Sequence, residues 1–289
     1  MPLIEPVIRP PSEAGSFLLQ VTVGCSANSC TFCGAYNTKR YRIKEREEIF
    51  SDIAEMARLA PETRRVFLLD GDALASGNDV IVPVLDELGR AFPHLSRVGS
   101  YANGTNITKR SNGELRELAT RKLSLIYIGL ESGSEAVLEG CRKRSSAAEM
   151  VDAVGRARKA GIKSSVIVLL GLGGRNMRDE HVAGTIKALN EMQPRYLAFL
   201  SLMLIPGTPL QLQAERGEFE LPGPGELLQE TRDIIAGLQL EGTIFRTNHA
   251  SNYLPLEGRL PADKEKLLGT LDDALAGRRP IRPEEWRGF

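Results

Sequence analysis

The sequence predicts an α/β protein made of βα units around a parallel sheet, and three observations carry that expectation. Short apolar runs rich in β-branched residues alternate with longer segments of helical periodicity. Some of those runs, such as Ser165-Val166-Ile167-Val168-Leu169-Leu170, are apolar on both alternating positions, the pattern of a strand covered on both faces. A chain of 289 residues with 42% hydrophobic content can also bury one large core.

In chain order the expected strands are residues 17–23, 65–70, 97–101, 123–130, 163–170 and 196–203. Helical periodicity falls on 46–59, 79–91, 113–121, 147–160 and 178–192 between them, with Asp79 placed to cap its helix and Gly161 to end the fourth. Six strands with interposed helices fit an incomplete barrel or an open doubly wound sheet. Beyond Met203 the prolines at 206, 209, 222 and 224 break the pattern, and only 226–240 and 262–276 read as further helices. The expected organisation is an N-terminal extension at 1–16, a main domain at 17–210, and a helical and loop extension at 211–289 that closes the mouth of the domain.

Composition removes several classes of function. Lys plus Arg number 37 and Asp plus Glu 37, so no global field holds the chain on nucleic acid, which is not an expected partner. A local basic patch at 39–44 would have to act alone. The first residues show no basic segment leading into an apolar one, and no eighteen apolar residues run together. A cytoplasmic protein with no membrane association is expected. There are four cysteines, three of them within residues 25–33, which suits a metal or redox site in a reducing compartment better than a disulfide framework.

Cys25, Cys30 and Cys33 follow the first expected strand, at the strand edge where parallel α/β architectures bind ligands. Three thiolates can hold three irons of a cubane and leave the fourth iron open to another ligand. Three rival readings stand beside this one: reduced thiols without metal, a zinc site completed by Cys141 or His249, and an electron-transfer cluster with Cys141 as fourth ligand. Cys141 is expected on a helix away from the site.

The spacing, with aromatic Phe32 before the last cysteine, resembles the three-cysteine signature of the radical S-adenosylmethionine (SAM) superfamily. Four residues separate the first two cysteines where the commonest form has three; longer spacings occur in minority branches. Over about residues 17–209 the chain looks most like the branch of oxygen-independent coproporphyrinogen dehydrogenase, the methylthiotransferases and the Elongator-type enzymes. The resemblance implies a partial (β/α)6 TIM-like barrel with N- and C-terminal extensions, a [4Fe-4S] cluster on Cys25, Cys30 and Cys33, and S-adenosylmethionine bound through its methionine part. It implies reductive cleavage of that cofactor to a 5′-deoxyadenosyl radical that abstracts hydrogen. A flavodoxin- or ferredoxin-type one-electron donor would feed the cluster.

The same resemblance implies a cofactor role for Phe32, for Asp70-Gly71-Asp72 after the second strand, where two carboxylates would attract an ammonium, and for Asn103 after the third. Glu131 and Ser132 after the fourth strand, Gly171 after the fifth and Ile205 after the sixth complete that set. On the substrate side, His249 could shuttle a proton and Tyr253 could relay hydrogen or stack. The substrate is expected to be a small or medium organic molecule. Competing readings are a non-catalytic iron-sulfur or zinc sensor or scaffold, and an enzyme that transfers the 3-amino-3-carboxypropyl group.

Overall fold

The computed structural model describes residues 3–288. Its strands are β1 (Phe17–Leu19), β2 (Thr22–Val23), β3 (Arg42–Ile43), β4 (Arg65–Leu68), β5 (Arg97–Ala102), β6 (Leu123–Glu131), β7 (Lys163–Leu170), β8 (Tyr196–Ser201), β9 (Thr243–Arg246) and β10 (Glu257–Leu260). Helices are α1 (Arg46–Leu59), α2 (Asn78–Ala91), α3 (Gly104–Thr108), α4 (Asn112–Thr120), α5 (Glu135–Gly140), α6 (Ala147–Lys159), α7 (Arg178–Met192), α8 (Pro209–Glu215), α9 (Pro224–Gly237) and α10 (Lys264–Leu275). Eight strands hydrogen-bond in the order β1-β4-β5-β6-β7-β8-β9-β10, the expected mostly parallel α/β sheet. Among the described residues no helix is long and apolar enough to cross a membrane.

The described residues pack as two compact units, the first comprising 3–28, Ala35–Ile128 and Asp152–Ser164, the second Ser29–Gly34, Gly129–Val151 and 165–288. In the first unit β4 lies parallel between β1 and β5, with Leu68 opposite both Leu19 and Ser100. That register brings the segments after β1, β4 and β5 to one strand edge, so the Cys25 loop, Asp70-Gly71-Asp72 and Asn103 are neighbours. Beneath them Phe67, Tyr101 and Tyr127 pack edge to face, at centroid separations of 5.1 to 6.1 Å.

The N-terminal segment enters this unit rather than trailing from it. Glu13 is fully buried, receives Arg97 Nη2 at 2.7 Å on each carboxylate oxygen, and accepts the Tyr127 hydroxyl at 2.6 Å. A buried carboxylate needs this many donors to offset its lost hydration.

In the second unit β7 and β8 run parallel with Leu170 opposite Ser201, so Gly171 and the segment from Leu202 to Ile205 leave the sheet side by side. Two strands here were not expected. β9 is parallel to β8 and β10 turns back antiparallel on β9, where the sequence reads as loop because each run is only four residues and carries a charged residue.

Three local expectations are corrected. Asp79 does not cap α2: the N-cap is Gly77, and Asp79 sits in the first turn, where its charge suits the helix dipole. Residues 39–44 do not form a basic patch, because Lys39 is buried on Asp70 and Lys44 is buried on Glu48 and Asp52. Helix α9 begins at Pro224, earlier than the periodicity suggested, since proline suits the first helical position. Gly161 does end α6 as expected, at φ +89°, with the Ile162 N–H returning to Ala157 O at 2.9 Å.

Candidate active site

The first unit presents Cys25 on a loop held from beneath by Asp70. That carboxylate accepts the Gly24 N–H at 2.7 Å, the Lys39 ammonium at 3.1 and 3.0 Å, and Gln20 Nε2 at 3.3 Å. Asp70 was expected to attract an ammonium ligand. The ammonium it holds in this structure is Lys39, and its other contacts hold the loop one residue before Cys25.

Gly71 lies directly against the cysteine. A Cβ there would stand 2.7 Å from Cys25 Cβ and 2.8 Å from the Tyr36 ring, so only glycine permits this approach. Asp72 follows, buried with no exposed surface. Its Oδ2 accepts Asn103 Nδ2 at 2.8 Å, Asn106 Nδ2 at 2.6 Å and the Ser26 hydroxyl, while Oδ1 is buried with no hydrogen-bond partner. Asn103 is thus brought to the site through Asp72. The Tyr41 phenol is pushed up by burial and then by the Asp72 and Cys25 charges, a second sign of negative potential in this corner.

The second unit carries Cys30 and Cys33 in a turn closed by Cys33 N–H on Cys30 O at 3.2 Å. Thr31 fixes the turn on both sides, donating its N–H to Cys141 O at 2.9 Å and accepting the Leu210 N–H at 3.0 Å. Phe32 packs on the buried cluster of Val137, Cys141, Leu172, Leu202 and Leu210. At Gly34 a Cβ would meet Ile205 Cγ2 at 2.7 Å, which sets Ile205 against the end of the loop.

Cys141 is therefore beside this loop, correcting the expectation that its helix lies away. Its thiol is buried, donates to Leu138 O at 3.4 Å, and is pushed up to about 12 by burial and then by Cys30.

Glu131 ends β6 at φ +61°, an uncommon backbone state for a side-chain-bearing residue. Its carboxylate meets Lys143 Nζ at 3.0 Å; burial opposes the lysine charge, but Glu131 and then Cys30 outweigh it and hold the ammonium above its ordinary range. Ser132 is fully buried and Gly171 leaves β7 at φ +81°. Lys143, Asn106 and Ser26 were not found from the sequence, because a lone polar residue in a loop carries no pattern.

His249 and Tyr253 lie in the loop between β9 and β10, fastened by the C-terminal segment. Arg282 Nη1 donates to Ala250 O at 2.7 Å and Asn252 O at 2.9 Å, and Arg287 Nε to Ser251 O at 2.7 Å. The Tyr253 hydroxyl donates to Glu284 and accepts Arg287 Nη1 at 2.5 Å, under a guanidinium 4.2 Å from its ring. Tyr253 was expected to relay hydrogen or stack on substrate; its hydroxyl and ring are already engaged in anchoring the tail.

The His249 imidazole is lowered from its ordinary value by burial and then by Arg282. The folded chain therefore binds this proton less readily than the unfolded chain, so the loop loses stability as pH falls below the unfolded value of about 6.5. Hydrogen exchange at residues 247–253, corrected for intrinsic rate, is expected to quicken between about pH 7 and about pH 5. The same acceleration in His249→Gln would show that another group is responsible.

Among the described residues, no three His, Cys, Asp or Glu side chains lie together as a ready metal site. The donor types nevertheless suit an iron-sulfur cluster: Cys25, Cys30 and Cys33 are each partly exposed free thiols, and in the first unit Cys25 is seated on a glycine that leaves no room for a side chain, with a buried Asp72 oxygen lacking a donor.

Comparison with known proteins decides the family. The model of the radical SAM superfamily matches residues 19–187, more than half of the chain. The chain belongs to the radical SAM superfamily. It is an enzyme whose cofactors are a [4Fe-4S] cluster and S-adenosylmethionine.

Solved structures share the radical SAM fold at low identity. The radical SAM methyltransferase TsrM from Kitasatospora setae, with cobalamin and a [4Fe-4S] cluster bound, is 18% identical at a TM-score of 0.56, over 70% of this chain and 37% of that one. Coproporphyrinogen III oxidase from Escherichia coli is 15% identical at 0.54, over 76% and 50%. Methylornithine synthase is 15% identical at 0.54, over 92% and 83%. The chain thus spans about a third to a half of the first two proteins. No curated protein matches it.

Proposed function

We propose that this radical SAM enzyme holds its cluster on Cys25, Cys30 and Cys33 and seats S-adenosylmethionine along the adjoining strand ends, abstracting hydrogen from a small or medium organic substrate. The observation that carries the proposal is Asp72. One of its oxygens takes three donors while the other is buried without any, and a buried carboxylate oxygen left bare costs about 1–3 kcal/mol or more. An ammonium is the donor that such an oxygen suits, and the methionine part of S-adenosylmethionine carries one beside the carboxylate that would reach an open iron.

When bound, the reduced cluster supplies the low-potential electron that cleaves a sulfonium. The chain's own residues do the rest. Asp72 receives the ammonium and Asn103 keeps that carboxylate oriented. Glu131, fixed by Lys143, accepts hydroxyl donors of the ribose, with Ser132 beside it; Gly171 and Ile205 offer backbone and apolar contact to the adenine; Phe32 shields the cluster loop. His249 moves a proton on the substrate side, and Tyr253 holds its loop. A flavodoxin- or ferredoxin-type protein delivers the electron.

Anaerobic reconstitution tests this directly. Cluster absorbance and the spin-resonance signal of the reduced protein should change on adding S-adenosylmethionine, and dithionite should yield 5′-deoxyadenosine. Release of methylthioadenosine instead would mean transfer of the 3-amino-3-carboxypropyl group, and a protein that retains only zinc would end the proposal.

A further inference from the structure

In the second unit, the ends of β6 and β7 are joined by one buried polar chain whose two middle members, His181 and Glu230, the cofactor reading does not use. Ser132 Oγ and His181 Nδ1 lie 2.8 Å apart. His181 Nε2 faces Glu230 Oε1 at 3.3 Å, and that same oxygen accepts the Gly171 N–H at 2.7 Å. His181 and Glu230 are 0% and 1% exposed.

Helix α7 is set close against this turn. A Cβ on Gly133 would run into the Gly184 carbonyl, and Thr185, one helical turn beyond His181, accepts the Gly133 N–H on its hydroxyl at 3.0 Å. Helix α9 reaches the end of β7 through a side chain: a Cβ on Gly171 would stand 2.8 Å from Leu227 Cδ2. Two helices thus meet two strand ends through His181 and Glu230.

The chain is a poor way to gain stability alone. His181 Nε2 and Glu230 Oε2 are buried without a well-formed hydrogen bond, and apolar side chains of similar volume would fill the same space without that cost. What an apolar replacement would not do is aim the Ser132 hydroxyl or hold the Gly171 amide. We infer that His181 and Glu230 are positioning residues that fix Ser132 and Gly171, and with them the strand ends, Glu131 included, that meet S-adenosylmethionine. This rests on the proposed reading of those two strand ends as cofactor contacts.

The test uses the full chain, reconstituted anaerobically, with S-adenosylmethionine as probe and its Kd read from the spin-resonance change of the reduced cluster. His181→Leu and Glu230→Leu should each weaken binding about tenfold or more, with iron content unchanged. Glu230→Gln, which still accepts from Gly171, and His181→Asn, which still reaches Ser132, should stay within about threefold of the parent. Ser132→Ala combined with His181→Leu should cost little more than either alone, because the two act through one contact.

Should a leucine variant fail to fold, His181→Gln, which keeps a group toward Glu230 but withdraws from Ser132, should show the same loss of affinity. Variants that all bind within about twofold of the parent, whatever their melting temperatures, overturn the inference. A parent protein that assembles the cluster yet binds no S-adenosylmethionine overturns the proposed function and this inference with it.

Discussion

Replacing Cys25, Cys30 or Cys33 by alanine is expected to bring iron after anaerobic reconstitution from about four per chain to below one, and to cut S-adenosylmethionine cleavage by more than about a hundredfold. Loss of an outer partner of a metal site already costs about 10 to 100-fold, and on the proposed ligand set a direct ligand of one iron disappears. Cys141→Ala is the informative control. Its thiol is buried in the apolar cluster under Phe32 and already donates to Leu138 O at 3.4 Å. That variant should keep its iron and its cleavage rate while losing some stability through the small cavity left behind. Iron lost from Cys141→Ala but retained in Cys30→Ala would reassign the ligand set.

Legibility from sequence divides along physical lines. Six of the eight strands of the sheet were readable because buried strands must be apolar, and α1 was located to the residue because it shows an amphipathic period. β9 and β10 were not, since four-residue strands such as Glu257–Leu260 present one or two buried positions and no alternation to detect. Nor was the inward path of the N-terminal segment, which depends on the burial of a single carboxylate, Glu13, beneath Arg97.

The site shows the same division. The cysteines stand out by spacing, and Gly71 and Asp72 by their place after a strand. What the sequence could not tell is which of two neighbouring carboxylates is left with an unpartnered oxygen. Asp70 and Asp72 look alike in the chain, yet Asp70 is turned to Lys39 and Gly24, and Asp72 keeps a bare oxygen. His181 was equally opaque, because a histidine near a helix start reads as solvated until Ser132 and Glu230 are brought to it by the fold.

The orientation of Asp70 leads to the second large effect. Asp70→Ala should destabilise the first unit by about 3–5 kcal/mol, the cost of leaving a buried ammonium without its counter-ion. That is a large share of the about 5–15 kcal/mol that holds a typical domain. The Lys39 side chain is only 2% exposed, so it cannot recover hydration where it lies. The Gly24 N–H loses its acceptor in the same step, one residue before Cys25.

Two further variants separate charge from loop geometry. Asp70→Asn retains an acceptor for Gly24 and tolerates the residue's φ of +62°, but cannot neutralise Lys39. It should be destabilised while keeping the loop's hydrogen bond. Adding Lys39→Met to Asp70→Asn removes the stranded charge and should restore most of the urea midpoint, and with it the iron content. If the double variant is no more stable than Asp70→Asn alone, the ion pair is not what holds the Cys25 loop, and the Gly24 contact must carry that role by itself.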